Sequence, residues 1–157
     1  MKPFSKELFG RYDLAARTVM RLWLEDRNYI VKDNPDIYGV DLIAITLEGD
    51  VTWVEVEVKD SWVDEFKFKT LHLPFRKLKF ATKDTVFVIF RRDLNYAFMF
   101  KGDVLADCEI VKKKTKFTKG DDEFFEIPLS RVHLYYTNNN MSEEEFKRKT
   151  PTEVGAL

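Results

Sequence analysis

The sequence predicts a single α+β domain in which one long helix packs on a mixed β-sheet. Three observations indicate this fold. Apolar residues recur at helical spacing from Ser5 to about Arg27. The stretch from Gly39 to Lys59 alternates apolar and polar residues, as two strands joined by a turn would. The segment 85–91, TVFVIFR, is almost entirely apolar, which is typical of a strand buried on both faces.

The first half of the chain is expected to contain a long helix, a short strand, the hairpin and a short helix. Ser5 suits the N-cap of the long helix, and Asn28 suits the left-handed position that ends it. Tyr29 then begins a short strand, and the hairpin follows. Residues 60–74 are of mixed character and are expected to be irregular or helical, and Pro74 opens a short helix to about Ala81.

The second half is expected to be mainly strands. Residues 95–100, NYAFMF, should pair with 85–91, a helical turn is expected from Gly102 to Asp107, and 108–137 should form short strands around a charged loop. Ser142 and Glu145 make a capping box for a last polar helix, and the tail should fray from about residue 150. No linker or repeat divides the chain, so residues 1–157 are interpreted as one domain.

Composition excludes several classes of protein. An apolar content of 45% with 15% aromatic residues argues for a folded globule. Cys108 is the only cysteine and His72 and His133 the only histidines, which excludes an internal disulfide and argues against a zinc hydrolase. No stretch resembles a secretory signal or a membrane span, so a soluble, cytoplasmic protein is expected. The net charge of −1 gives no overall attraction to nucleic acid, so any such attraction must be local.

The hairpin carries the candidate chemistry. On its second strand Glu55, Glu57 and Lys59 share one face and three valines share the other. A three-residue loop of Glu48, Gly49 and Asp50 pairs Leu47 with Val51 and therefore sets Asp41 opposite Glu57. Carboxylates so placed have Cβ atoms about 4.5–5.5 Å apart and repel each other. A divalent cation such as Mg²⁺ would turn that repulsion into a binding site.

Two alternatives stay open. The Glu57–Lys59 triplet has the common form acid-x-lysine, which recurs at 65–67 and 145–147, so the hairpin is also consistent with an ordinary ribbon with a solvated charged face. A five-residue loop would instead pair Asp41 with Lys59 as a cross-strand ion pair.

The order of elements and the segments YGVDLIAI and VEVEVKDS resemble the PD-(D/E)XK nuclease superfamily, including its Holliday-junction-resolvase-like members. The resemblance implies a restriction-endonuclease-like core, with a central mixed sheet flanked by helices. It implies that Asp41, Glu57 and Lys59 are catalytic, and that Mg²⁺, for which Mn²⁺ would substitute, is bound by Asp41, Glu57 and the backbone carbonyl of Val58. Glu55 and Ser61 would support this set.

The resemblance also extends to the opening helix, GRYDLAARTVMRLW. It implies that Asp13 is a further metal-linked acid, and an ion pair with Arg17 is the alternative. Glu25 is a weaker candidate, because an acid near the end of a helix opposes its dipole. Asp36, in the displaced Pro35–Asp36 dipeptide, is interpreted as a turn residue and not as a ligand.

A basic stretch follows the hairpin and predicts DNA as the partner. Its cations would supply sequence-independent affinity for phosphates, although the wet face of a short helix is the alternative; the candidates are Lys67, Lys69, Arg76, Lys77 and Lys79. Interleaved phenylalanines could stack on unpaired bases, with core packing as the other interpretation. A second run, 112–119, is interpreted as a solvated hairpin tip that could still grip a backbone.

The sequence therefore favours a Mg²⁺-dependent nuclease that hydrolyses DNA. One small domain leaves little room for a module that reads DNA sequence. An endonuclease that recognises DNA structure or backbone is expected, and restriction-like or phage DNA-degrading enzymes stay open. The competing class is a non-catalytic nucleic-acid-binding or assembly protein that retains the nuclease fold. Many relatives act as dimers, so a homodimer is also considered.

Overall fold

The computed structural model describes residues 6–114 and 121–138, with side chains described for 14–114 and 122–138. The predicted last helix and the frayed tail lie outside the described residues. The elements are α1 (Lys6–Glu25), β1 (Ile30–Asp33), β2 (Leu42–Ile45), β3 (Val51–Lys59), β4 (Thr70–Pro74), β5 (Thr85–Arg91), β6 (Tyr96–Lys101), β7 (Glu109–Lys114), β8 (Asp121–Pro128) and β9 (His133–Tyr136). Three 3₁₀ helices lie at Phe75–Phe80, Gly102–Asp107 and Leu129–Arg131.

The central sheet has six strands in the order β1-β2-β3-β5-β6-β9. The pair β3–β5 is parallel and the other pairs are antiparallel, so the sheet is mixed. A second, antiparallel sheet has the order β4-β8-β7. The predicted α+β class with a central mixed sheet is confirmed.

Two apolar cores cover the two faces of the central sheet. Helix α1 packs Met20 and Trp23 against one face, where Val54 and Val56 of β3 lie. The second sheet covers the other face of β5 and β6, with Leu71 as one of its fully buried residues. Strand β5 contributes side chains to both cores, which explains its continuous apolar sequence.

The end of α1 follows the sequence prediction. Asn28 has φ 69°, and the Tyr29 N–H donates to the Leu24 carbonyl at 3.1 Å while the Asn28 N–H donates to the Glu25 carbonyl at 3.0 Å. These two bonds satisfy carbonyls that the helix leaves without partners and turn the chain into β1. The predicted helical turns at 75–80 and 102–107 are also present, both as 3₁₀ helices.

Strand β4 was not predicted. Its segment, expected to be irregular or helical, pairs with β8, more than fifty residues later in the chain.

None of the described helices has the length and apolar character that a membrane span requires.

Candidate active site

The hairpin register differs from the predicted one. Thr46 and Asp50 close a three-residue loop of 47–49, because the Thr46 N–H donates to the Asp50 carbonyl at 2.9 Å. Gly49 ends this loop with φ 91°, a left-handed conformation that suits glycine. The ladder then pairs Ile45 with Val51 and Leu42 with Val54. The prediction that Asp41 faces Glu57, and the alternative that it faces Lys59, are both wrong.

The observed register brings Asp41 to Glu55. Asp41 lies one residue before β2, so continuing the ladder past the Leu42–Val54 pair sets it opposite Glu55. Its Oδ2 accepts a hydrogen bond from the Val56 N–H at 2.8 Å, which fixes the carboxyl group at the end of the ladder. The two carboxylates that face each other are therefore Asp41 and Glu55.

Burial, together with the neighbouring Glu55, raises the pKa of Asp41. Burial raises the pKa of Asp41 from 3.8 to about 7, with further increases from its hydrogen bond to Glu55 and from the Glu55 charge. The Val56 N–H and the charge of Lys77 lower this pKa and only partly compensate. With a pKa of about 7, Asp41 is protonated in roughly half of the molecules at neutral pH, and a cation bound beside it would favour its ionised form.

A lysine already contacts the pair. Lys77 Nζ lies 2.7 Å from Glu55 Oε2, and the two side chains are only 14% and 6% exposed. Lys77 belongs to the 3₁₀ helix after β4, so the second layer of the molecule delivers this charge to β3. The sequence placed Lys77 among DNA-contacting residues, whereas the structure places it in the acidic cluster.

Glu57 and Lys59 lie further along the same face of β3. At about 3.3 Å per residue, Glu57 is roughly 7 Å and Lys59 roughly 13 Å from Glu55 along the strand. Both side chains are half-buried. Val58 lies on the opposite face with its side chain against the α1 core, and Ser61 is exposed in the turn after β3.

A second cation, Lys113, lies close enough to Lys59 to affect its pKa. Lys113 was not predicted as part of the site. Burial lowers the pKa of Lys59, the Lys113 charge lowers it further, and Glu57 opposes both effects. Lys113 Nζ lies 2.8 Å from His72 Nδ1, and His72 Nε2 lies 3.1 Å from Glu126 Oε2. This chain across the second sheet holds Lys113 near Lys59.

The cations of the basic stretch differ in their exposure. Lys77 is enclosed, whereas the other candidate DNA contacts are exposed: Lys67, Lys69, Arg76 and Lys79. Of the interleaved aromatic residues, Phe66, Phe75 and Phe80 pack against the core beneath the second sheet, and Phe68 is 67% exposed. Core packing is therefore confirmed for three of these four rings.

The remaining candidate acids lie in different settings. Asp36 is a turn residue as predicted, since its Oδ1 accepts a hydrogen bond from the Tyr38 N–H at 3.0 Å. Glu25 is exposed at the end of α1. The side chain of Asp13 lies outside the described residues.

Asp41 and Glu55 are the two carboxyl groups that this arrangement brings together. Within residues 14–114 and 122–138, no group of three or more His, Cys, Asp or Glu side chains is arranged to hold a metal ion. Mg²⁺ is commonly bound by one or two carboxylates, with water and substrate phosphates completing its shell. Asp41 and Glu55, two touching acids of which one is driven to keep a proton, fit that kind of site.

The fold was compared with solved structures. The chain is similar to the bacterial homing endonuclease I-Ssp6803I, at 19% sequence identity and a TM-score of 0.47, over 75% of this chain and 83% of that one. No protein-family model matches the sequence, and no curated protein does.

Two features of this site escaped the sequence prediction. Glu55 was assigned only a supporting role because the loop was placed one residue too late. The signal that could have corrected it is Gly49: in a three-residue hairpin loop the left-handed residue comes last, which places the loop at 47–49. The approach of Lys77 to Glu55 depends on the packing of two sheets, for which the sequence carries no local pattern.

Proposed function

We propose that this protein is a Mg²⁺-dependent nuclease that hydrolyses DNA phosphodiester bonds. The observation that carries the proposal is the contact between Asp41 and Glu55, two facing carboxyl groups on adjacent strands, where Asp41 is driven to retain a proton. Such a pair costs free energy in a sheet unless a cation binds to it. This arrangement supports a restriction-endonuclease-like site of the PD-(D/E)XK kind.

In this proposal Asp41 and Glu55 hold the metal ion, and Glu57 is the next acid along the same face. The bound ion would polarise the scissile phosphate and lower the pKa of an attacking water. The Val56 N–H orients Asp41, so the carboxylate is held in place before the ion arrives. The Val58 carbonyl, which the resemblance implied as a further ligand, stays a prediction; the backbone group in contact with Asp41 is the Val56 N–H.

The surrounding cations would bind the DNA backbone. Lys59 and Lys113, near each other beyond Glu57, form a local positive region suited to a phosphate. Exposed Lys67, Lys69, Arg76 and Lys79 extend the positive surface along the segment that follows β3. Contacts of this kind give affinity without sequence recognition and weaken as salt rises. We therefore propose recognition of DNA backbone or structure.

Cleavage assays test the proposal. Supercoiled plasmid, single-stranded DNA and a four-way junction would be incubated with Mg²⁺ or Mn²⁺, and with EDTA. Asp41→Asn and Glu55→Gln should each lower the cleavage rate on the order of 10²-fold, since each removes charge that the ion requires. Glu48→Gln, an exposed acid in the hairpin loop, is the matched control and should leave the rate unchanged.

Two results would contradict this proposal. Cleavage that persists in EDTA would exclude a metal-dependent reaction. Binding of these DNAs without cleavage by the wild type would favour the competing class, a nucleic-acid-binding protein that retains the fold. The folding of each variant would be checked by its unfolding midpoint, because Glu55 is buried and ion-paired.

A further inference from the structure

The ammonium group that contacts the acid pair comes from outside the hairpin. Among the basic residues of the 3₁₀ helix Phe75–Phe80, Arg76 and Lys79 are exposed, whereas Lys77 turns inward to Glu55. Lys59, the lysine expected from the hairpin motif, lies roughly 13 Å from Glu55 along β3. The hairpin motif therefore points to Lys59, whereas the contacts in the folded protein place Lys77 at Glu55.

A buried ion pair of this kind calls for an explanation. Removing two charges from water costs free energy that their attraction only partly returns, so a buried pair is weak evidence for a stabilising role. Here the pair is also unbalanced, because Asp41 adds a second carboxyl group beside Glu55. Lys77 thus supplies one positive charge at a place where two acids meet.

The backbone that carries Lys77 is anchored by the segments packed around it, while its mostly buried side chain reaches Glu55. A β-carbon added at Gly102 would lie 2.6 Å from the Thr82 carbonyl oxygen and 2.7 Å from that of Phe80, so the two segments are in close contact. Phe75 and Phe80 anchor the helix against the core. The four-carbon stem of a lysine allows its ammonium group to change partners above such a fixed base.

We propose that Lys77 is the exchangeable cation of this site: its ammonium group neutralises Glu55 when no metal ion is bound, and transfers to a DNA phosphate when a divalent ion binds the acid pair. This inference rests on the proposed function and adds the identity of the lysine and its competition with the metal. Lys77 and a divalent ion would compete for the Glu55 carboxylate, because their like charges repel.

Metal binding without DNA tests the competition. Calorimetric titration with Mn²⁺ would compare the wild type with Lys77→Met, Lys77→Arg and Lys101→Met. Lys77→Met should bind Mn²⁺ about tenfold more tightly, since the competing charge is gone. Lys77→Arg, which keeps the charge, and Lys101→Met, the matched control at an exposed lysine, should both stay close to the wild type.

A second measurement uses the wild type alone and does not depend on the folding of a variant. Mass spectrometry would follow acetylation of Lys77 with and without Mn²⁺, with exposed Lys101 as the internal reference. Release from Glu55 should raise the labelling of Lys77 severalfold when Mn²⁺ is present. Cleavage of DNA by Lys77→Met should fall despite its tighter metal binding.

The outcomes separate the two proposals. Equal Mn²⁺ affinity in all four proteins, or labelling of Lys77 that Mn²⁺ does not change, would overturn the role of Lys77 and leave the nuclease proposal standing. Absence of Mn²⁺ binding in every variant, together with absence of cleavage, would overturn the metal site itself and both proposals with it.

Discussion

At the scale of residues, acidic and basic groups lie in contact in the candidate site. Asp41 and Glu55 bring two carboxyl groups together, and Lys77 brings one ammonium group. The excess acid is accommodated by a proton on Asp41, whose pKa burial raises to about 7. In the metal-free protein the proton and the Lys77 ammonium group therefore offset the charge of the two carboxyl groups, and the proposed metal ion would take over that role.

The proton on Asp41 predicts how stability depends on pH. Between 3.8 and about 7 the folded, metal-free protein keeps a proton that the unfolded chain releases, so the free energy of unfolding falls as pH rises through this window. The contribution is fully present below the lower value and lost above the upper one. After allowance for solvent screening we expect it to be on the order of 1–2 kcal/mol.

Asp41→Asn isolates this contribution. The amide oxygen can still accept the Val56 N–H, and its NH₂ can donate to Glu55, so the variant should be more stable than the wild type at pH 8 and its pH slope should be flatter. Denaturant unfolding in EDTA at pH 5 and pH 8 measures both quantities. Asp50→Asn, an exposed loop acid, is the control. An unchanged slope in Asp41→Asn would show that Asp41 does not hold the proton.

At the scale of elements, the sequence predicts most of the fold. Helix α1, the hairpin, β5 with its neighbour β6, and both short helices lie close to where periodicity and turn residues place them. These elements depend on local patterns. Strand β4 does not, because its alternation spans only five residues and its partner β8 is more than fifty residues away. The strand register was also predicted incorrectly. Moving the loop by one residue shifts the partner of Asp41 by two residues, from Glu57 to Glu55.

The register can be measured by disulfide formation. In the observed pairing Ile43 faces Trp53, whereas the register first expected from the sequence pairs Ile43 with Glu55. In a background with Cys108→Ser, the double variant Ile43→Cys/Trp53→Cys should oxidise readily because directly opposed Cβ atoms meet the geometric requirement of a disulfide. Ile43→Cys/Glu55→Cys is the matched control and should oxidise slowly. Faster oxidation of the control would contradict the structure.

At the scale of the whole molecule, the second sheet completes the site. It places Lys77 against Glu55 through the 3₁₀ helix that follows β4, and β7 places Lys113 near Lys59. These contacts join segments that are far apart in sequence, so hairpin motifs alone could not predict them. The hairpin pattern predicted the two paired strands and Asp41 as one of the two facing acids, but not its partner Glu55.

The central claim is that Asp41 and Glu55 form the divalent-cation site. Anomalous diffraction from a crystal soaked in MnCl₂ tests it most directly. We expect an anomalous peak in contact with the carboxylates of both Asp41 and Glu55, with Lys77 Nζ displaced from Glu55. A peak at Glu57 without Asp41 and Glu55, or no peak on this face of β3, would contradict it.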